Sequence, residues 1–324
     1  MGTNNSKKNF SLKVKKWVTD ERTGALLLFI IVCVILMFTT DTFLTLRNLT
    51  NLTRYASFYV MVGVGVLVIF MSGEMDLSLG ATMGMSGIMS AMLARDGQPL
   101  IVVLAVGIFF GILIGAFNGY LVGYWTFPAF IATLGCKQMI RGLITVITEG
   151  YPINDLSESF TYIGTGSFLG IPIPIYIAIF LAVLTWYILN KTVFGRHVVA
   201  TGANAQAAIV SGINTKRIKL FSYMYGGALA GIAGMVLTAR VTSGQVNCGD
   251  GFELDAIAGA IIGGASMEGG SGTVIGTICG IMVIYTVKNG MSLLSINAYW
   301  QQVAQGAIIL LAIFLDIIRK KQRS

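Results

Sequence analysis

Lys191 to Lys219 reads KTVFGRHVVATGANAQAAIVSGINTKRIK, a polar island between two hydrophobic runs. It is the longest basic interruption in the middle of an otherwise apolar chain. Lys and Arg near the ends of membrane spans collect on the cytoplasmic side, so this segment is expected in the cytoplasm. Its centre differs in kind. Ala203 to Ser211 carries small and apolar residues at helical spacing without a charge, which suits a short helix lying across the membrane surface and offering a docking face.

Outward from this island the chain is oily. Of 324 residues, 55% are hydrophobic and 11% charged, and mean hydropathy is +0.78, outside the range of soluble domains. The fold class is therefore all-α, a polytopic membrane protein. A span takes roughly 20 apolar residues, and runs broken by Gly, Pro or charge predict about ten, at 25–40, 55–72, 77–94, 100–123, 127–148, 171–189, 219–239, 254–268, 273–290 and 299–317. No soluble domain fits in the remainder. The organisation is a basic N-terminal segment over 1–24, one transmembrane domain over 25–318 with a cytoplasmic loop at 190–218, and a basic tail over 319–324. Spans 77–94 and 254–268, short or Gly-rich and led by acids, are the candidates for broken or re-entrant helices.

Charge placement orients this set. Lys7, Lys8, Lys13, Lys15, Lys16 and Arg22 precede the first span, Lys191, Arg196, Lys216, Arg217 and Lys219 bracket the central loop, and Arg319, Lys320, Lys321 and Arg323 end the chain; together they are 15 of the 22 basic residues. Both termini and the loop are expected inside, which requires an even number of spans. Segment 149–170 then falls outside, and it has Glu149, Asp155 and Glu158 but no Lys or Arg. The positive-inside pattern accounts for the net charge of +8, so nucleic acid is not an expected partner. The apolar run after the basic N-terminal segment lacks a small-x-small cleavage site and reads as an uncleaved signal anchor.

A repeat is visible at motif level. Glu74–Ser78 (EMDLS) is followed by GILIGAFNG at Gly111–Gly119, and Phe252–Ala256 (FELDA) by GTICG at Gly276–Gly280 and then Asn289-Gly290. If spans three and eight correspond, five spans separate the copies. An odd offset inverts the second copy, the arrangement in which a central pathway forms between two halves.

Ionisable groups inside spans are costly and normally face protein or water. Near span ends, Glu74, Glu253 and Lys288 read as solvated or snorkelling side chains. Asp76 and Asp255 each precede a small-residue helix, so each is expected either to cap that helix or to stand on a substrate path. Lys137 and Arg141, four apart, share a helix face; they line a hydrated passage or pair with an acid, or else, the preferred reading, Lys137 snorkels and Arg141 alone is buried. Catalytic chemistry is scarcely represented. The single His197 lies in the basic loop, there is no phosphate loop, H-E-x-x-H or G-x-S-x-G, and Cys33, Cys136, Cys248 and Cys279 lack metal-ligand spacing. No catalytic or metal residue is expected.

With these residues in view, Gly73-Glu74-Met75-Asp76-Leu77-Ser78-Leu79-Gly80 resembles the G-x-x-D-L-S-x-G segment of the permease subunits of bacterial ATP-binding-cassette importers for ribose, galactose and related sugars. Further matches follow in the family's order. They are Pro128–Gly135 with Arg141-Gly142; Gly202-x-Asn204-x-x-Ala207-Ala208-x-x-Ser211-Gly212-Ile213; Glu253–Ala258; Gly263-Gly264 and Gly269-Gly270; and Tyr299-Trp300-Gln301 before Gly306–Ile309. The resemblance extends from about residue 25 to 318.

The resemblance implies a permease that pairs with a second permease chain, identical or different. It implies a monosaccharide delivered by an extracytoplasmic binding protein, and a separate cytoplasmic ATPase that binds ATP and Mg, with no cofactor on this chain. It also implies a coupling helix at about Gly202 to Ile213, inserted in a cleft of that ATPase, through Gly202, Asn204, Gln206, Ala207, Ala208, Ser211, Gly212 and Ile213. Gln206 stands where relatives often have Glu, which removes a salt bridge there. Asp76, Ser78, Asn118, Phe130, Arg141, Asp255 and Asn289 are the candidates for the substrate path. Two other classes compete: an ion-coupled secondary transporter using buried acids such as Asp76, and an intramembrane enzyme, for which a nucleophile and its base are missing.

Overall fold

In a computed structural model describing residues 21–321, each expected span coincides with a helix, and three further helices lie between spans. In chain order the helices are α1 (Glu21–Thr39), α2 (Leu46–Met71), α3 (Leu79–Arg95), α4 (Leu100–Gly123), α5 (Ala129–Thr148), α6 (Glu158–Thr165), α7 (Ile173–Lys191), α8 (Val193–Ala203), α9 (Ala205–Val210), α10 (Thr215–Val241), α11 (Phe252–Ile262), α12 (Val274–Leu293) and α13 (Ala298–Lys321). Lys7, Lys8, Lys13, Lys15, Lys16 and Arg323 fall outside the described residues. Six helices, α2, α4, α5, α7, α10 and α12, are long and apolar enough to cross a membrane by length and composition. The expectation of ten is thus met as helices, not as ten full-length spans.

Two of the four helices that fall short, α3 and α11, are those that acids precede. At 1.5 Å per residue, α11 with its 11 residues reaches only about 16 Å, against the roughly 30 Å of a bilayer core. The chain after it, 263–273, is glycine-rich and non-helical. Segment 149–170 is more ordered than a loop. It contains α6 and the first strand of a hairpin, β1 (Ser167–Phe168), which pairs with β2 (Ile171–Pro172) just beyond it. Leu169 and Gly170 both have positive φ, as a two-residue type I′ turn demands.

Two helices form the core. α2 is apolar all round from Phe58 to Met71 except for its glycines, and almost all of that stretch is buried, as expected of a helix without a polar face. α10 is held instead by small residues. Gly107, Gly111, Gly115 and Gly119 of α4 lie four apart on one face and meet α10 backbone to backbone: a Cβ at Gly227 would sit 2.2 Å from the Gly111 carbonyl oxygen, and one at Gly115 2.3 Å from that of Tyr223. The second copy of the motif works the same way, since Cβ atoms at Gly276 and Gly280 of α12 would lie 2.1 and 2.0 Å from the carbonyl oxygens of Gly263 and Gly259. In membranes helices associate through such close approach and not through a hydrophobic drive. Gly227→Val is expected to destabilise the bundle by at least the ~1–3 kcal/mol typical of overpacking, read as a lowered midpoint of thermal unfolding in detergent.

The repeat is matched by the packing. α3 contacts α4 and α10, and α11 contacts α12 and α2. The two short helices start close together, a Cβ at Gly80 falling 2.4 Å from the Gly249 carbonyl oxygen and 2.0 Å from a Glu253 carboxylate oxygen. The positive ends of two helix dipoles therefore converge on one region inside the bundle.

Candidate functional site at the half-helix junction

Acidic side chains collect where the N-termini of α3 and α11 meet. Asp76 Oδ1 accepts from the Ser78 amide and the Ser78 hydroxyl, both at 2.7 Å. Asn118 of α4 donates to the Ser78 Oγ at 2.7 Å, Thr133 of α5 accepts from the Leu77 amide at 3.2 Å, and the Tyr223 hydroxyl of α10 donates to the Met75 carbonyl at 2.8 Å. Three helices thus fasten the segment before α3. Asp76 does not cap α3 as a helix N-cap would; Ser78 occupies that position without a side-chain bond to the helix, and Asp76 closes a turn over it. Asp76, Ser78 and Asn118 are buried.

Two of the other intramembrane ion pairs join the two halves, and a third lies within the second half. Lys137 of α5 donates to Glu253 at 2.5 Å, Lys219 to Glu74, and Lys288 to Asp255, which also accepts from Gln305 at 2.8 Å. Arg141 spans the junction, donating to the carbonyls of Gly80 (3.1 Å), Val246 (3.2 Å) and Cys248 (2.9 Å) and pairing with Asp250 at 2.6 Å.

This overturns the expectations of snorkelling for Lys137, and of solvated or snorkelling ends for Glu74, Glu253 and Lys288. Glu253 is fully buried, and burying a carboxylate requires a partner; Lys137 is long enough to reach it. Asp255 does not cap α11, whose N-cap is Gly251; it lies inside the first turn and aims at Lys288. Glu253 Oε2 and Asp76 Oδ2 are buried and accept no hydrogen bond among the described residues. Phe130 stands apart, 54% exposed at the start of α5.

Asn289 lies elsewhere, in a reciprocal amide pair with Asn48 at 3.0 and 3.1 Å, on the wall of a cavity of about 720 Å³ between α2, α12 and α13. Leu237 and Arg240 from the last turns of α10 also line it. Because α10 starts just after α9 and is 27 residues long, about 40 Å at 1.5 Å per residue, the cavity is at the end of the bundle opposite α9. Its side chains were largely missed from sequence. Tyr55, Tyr59 and Tyr285 read as apolar span residues there, whereas Gln301, Gln302 and Gln305, on one polar side of an apolar span, were a usable signal.

At the other end, the central loop is two helices and not one. α8 ends at Asn204, whose extended backbone (φ −161°) breaks the helix and whose side chain caps α9 by accepting from the Ala207 amide at 3.0 Å. Gln206, Ala207, Ser211 and Gly212 are exposed, Ala208 is buried and Ile213 partly so. Ile209 and Val210 stand out at 51% and 88% exposure. Gly202 is not on this short helix. It lies in the last turn of α8, where a Cβ would meet the Met71 carbonyl oxygen at 2.1 Å and the Gly270 nitrogen at 2.6 Å.

Comparison with known proteins covers nearly the whole chain. Residues 48–313 match the family model described as branched-chain amino acid transport system / permease component. The chain is 36% identical over 300 residues to the ribose import permease protein of Haemophilus influenzae, covering 91% of this chain and 93% of that one. It is 36% identical over 303 residues to the ribose import permease protein of Bacillus subtilis (93% and 94%), and 32% over 307 residues to the L-arabinose transporter permease protein of Azospirillum brasilense (95% and 91%). No solved structure gives a significant match.

Proposed function

The chain belongs to the branched-chain amino acid transport system / permease component family, and from that premise we propose that it is the membrane-spanning permease of an ATP-driven importer that carries a monosaccharide. The similarity along more than nine-tenths of both chains to permeases named for ribose import carries this reading, and it favours a sugar over an amino acid. The partners are a cytoplasmic ATPase that binds ATP and Mg, an extracytoplasmic binding protein that delivers the sugar, and a second permease chain. The basic residues put both termini and the α8–α9 loop in the cytoplasm.

α9 then serves as the coupling element. It is short, uncharged and exposed, and Ile209 and Val210 leave apolar surface toward the cytoplasm that soluble domains normally cover. Closure of the ATPases moves α9, and the movement rocks one half-repeat against the other around the junction of α3 and α11, switching access between the two sides. Asp76, Ser78, Asn118, Arg141 and Asp255 hold that junction; Arg141 and Asp255 are ion-paired and one Asp76 oxygen is held by Ser78, which suits a pivot better than an ion-coupling site. Phe130, exposed at the start of α5, and Asn289, on the wall of the cavity opposite α9, are the residues we assign to the sugar path.

The test is the double substitution Ser211→Glu/Gly212→Arg on the exposed turn after α9. Sugar uptake and sugar-stimulated ATP hydrolysis in proteoliposomes holding the complete importer are expected to fall together by more than tenfold, with membrane insertion retained. Unchanged coupling would remove α9 from this role.

A further inference from the structure

We propose that the cavity between α2, α12 and α13 is a transit-binding site for a neutral, hydroxyl-rich ring, held within a single chain at the end opposite α9. The proposal rests on the reading of this chain as a monosaccharide permease and adds a place where the sugar pauses. At about 720 Å³ the cavity falls within the ~300–1,000 Å³ of small-molecule pockets.

Its walls match both faces of a sugar. Phe252, Tyr59, Tyr285 and Tyr55 form a continuous run of aromatic rings, with centroids 4.1 Å apart for Tyr59–Phe252, 5.5 Å for Tyr59–Tyr285 and 6.1 Å for Tyr55–Tyr285. Flat apolar rings accept the C–H face of a pyranose or furanose. Polar capacity is left over beside them. The hydroxyls of Tyr55, Tyr59 and Tyr285 and the amide of Gln302 make no hydrogen bond among the described residues, although all four side chains line the space. Each hydroxyl both donates and accepts, which is what a polyol needs.

The charge balance points the same way. Lys288 at the cavity wall is neutralised by Asp255. Arg240 is 6.0 Å from the Tyr55 ring centroid and makes no ion pair among the described residues, so it presents N–H donors to ligand oxygens. A ligand bonded to Gln305 would also compete with Asp255, linking occupancy to the junction below.

The experiment measures uptake of radiolabelled D-ribose, L-arabinose, D-xylose and D-allose by proteoliposomes containing the complete importer. Tyr59→Phe/Tyr285→Phe keeps the rings and their packing but deletes two hydroxyls. It is expected to lower the uptake rate of whichever sugar the wild type carries by about tenfold while the complex assembles as the wild type does. Ser292→Trp, which fills the cavity from α12, is expected to abolish that uptake, and it supplies the answer should the tyrosine pair fail to fold. Wild-type rates, within twofold, in a folded variant overturn the transit site and leave the importer reading standing. A wild type that moves none of the four sugars overturns the sugar reading and the transit site with it.

Discussion

Lys137→Met is expected to cost about 3–5 kcal/mol of stability, the range found when one partner of a buried ion pair is removed. Glu253 has no exposed surface and its cation is Lys137, 2.5 Å away; deleting that cation leaves a carboxylate with nowhere to be hydrated. The α11 dipole offsets part of this, since Glu253 sits in the first turn of α11 where negative charge is favoured by up to ~2 kcal/mol. Met keeps most of the side-chain length, so the loss reports charge and not a cavity. The double variant Lys137→Met/Glu253→Gln is expected to recover most of the stability, because two neutral groups of similar shape remain. Thermal unfolding in detergent measures both, and a single variant as stable as the wild type would show that the pair does not secure the junction.

Gly202→Val is the second large effect. At this point α8 is wedged between the segments that follow α2 and α11. The Gly270 amide donates to the Met71 carbonyl at 3.1 Å, and a Cβ at Gly269 would lie 2.7 Å from Gly73 Cα and 2.8 Å from Gly202 Cα. Gly73 and Gly269 have φ of +84° and +100°, a backbone open to glycine at little cost. Valine at 202 drives into backbone on both sides, and backbone cannot rotate away as a side chain can. Overpacking of about 3 kcal/mol is expected, together with loss of ATP-driven uptake by more than tenfold, because α8 packs against α9 and, at Gly202, against the segments that follow α2 and α11. Gly142→Ala, where nothing lies within 4 Å, serves as the comparison; it is expected to be neutral or stabilising by up to ~1 kcal/mol.

Much of this architecture was legible before any coordinates. Long apolar runs bounded by Gly, Pro and charge located each helix that approaches membrane length, because backbone hydrogen bonding in lipid leaves a helix few alternatives. Of the two acid-led segments read as candidates for broken helices, 254–268 does lose its helix after Ile262, whereas 77–94 forms one continuous helix over Leu79–Arg95. Less could be read at Asn204, whose capping side chain breaks the expected surface helix in two, since an Asn inside a run of small residues is also compatible with a continuous helix. The ion pairs were legible only as a list of costly residues.

By itself, the sequence determined that the chain is a helical membrane protein, where its long apolar helices lie, which loop carries the basic flanks and that two halves share motifs. These follow from local rules of hydropathy, charge and spacing. Tertiary structure alone decided that Lys137 meets Glu253 across 116 positions of sequence, that Gly202 packs against the segments that follow α2 and α11, and that three tyrosines separated by up to 230 positions wall one cavity. Such pairings depend on which helix faces which, and that is set by the depth to which each glycine face lets two backbones approach.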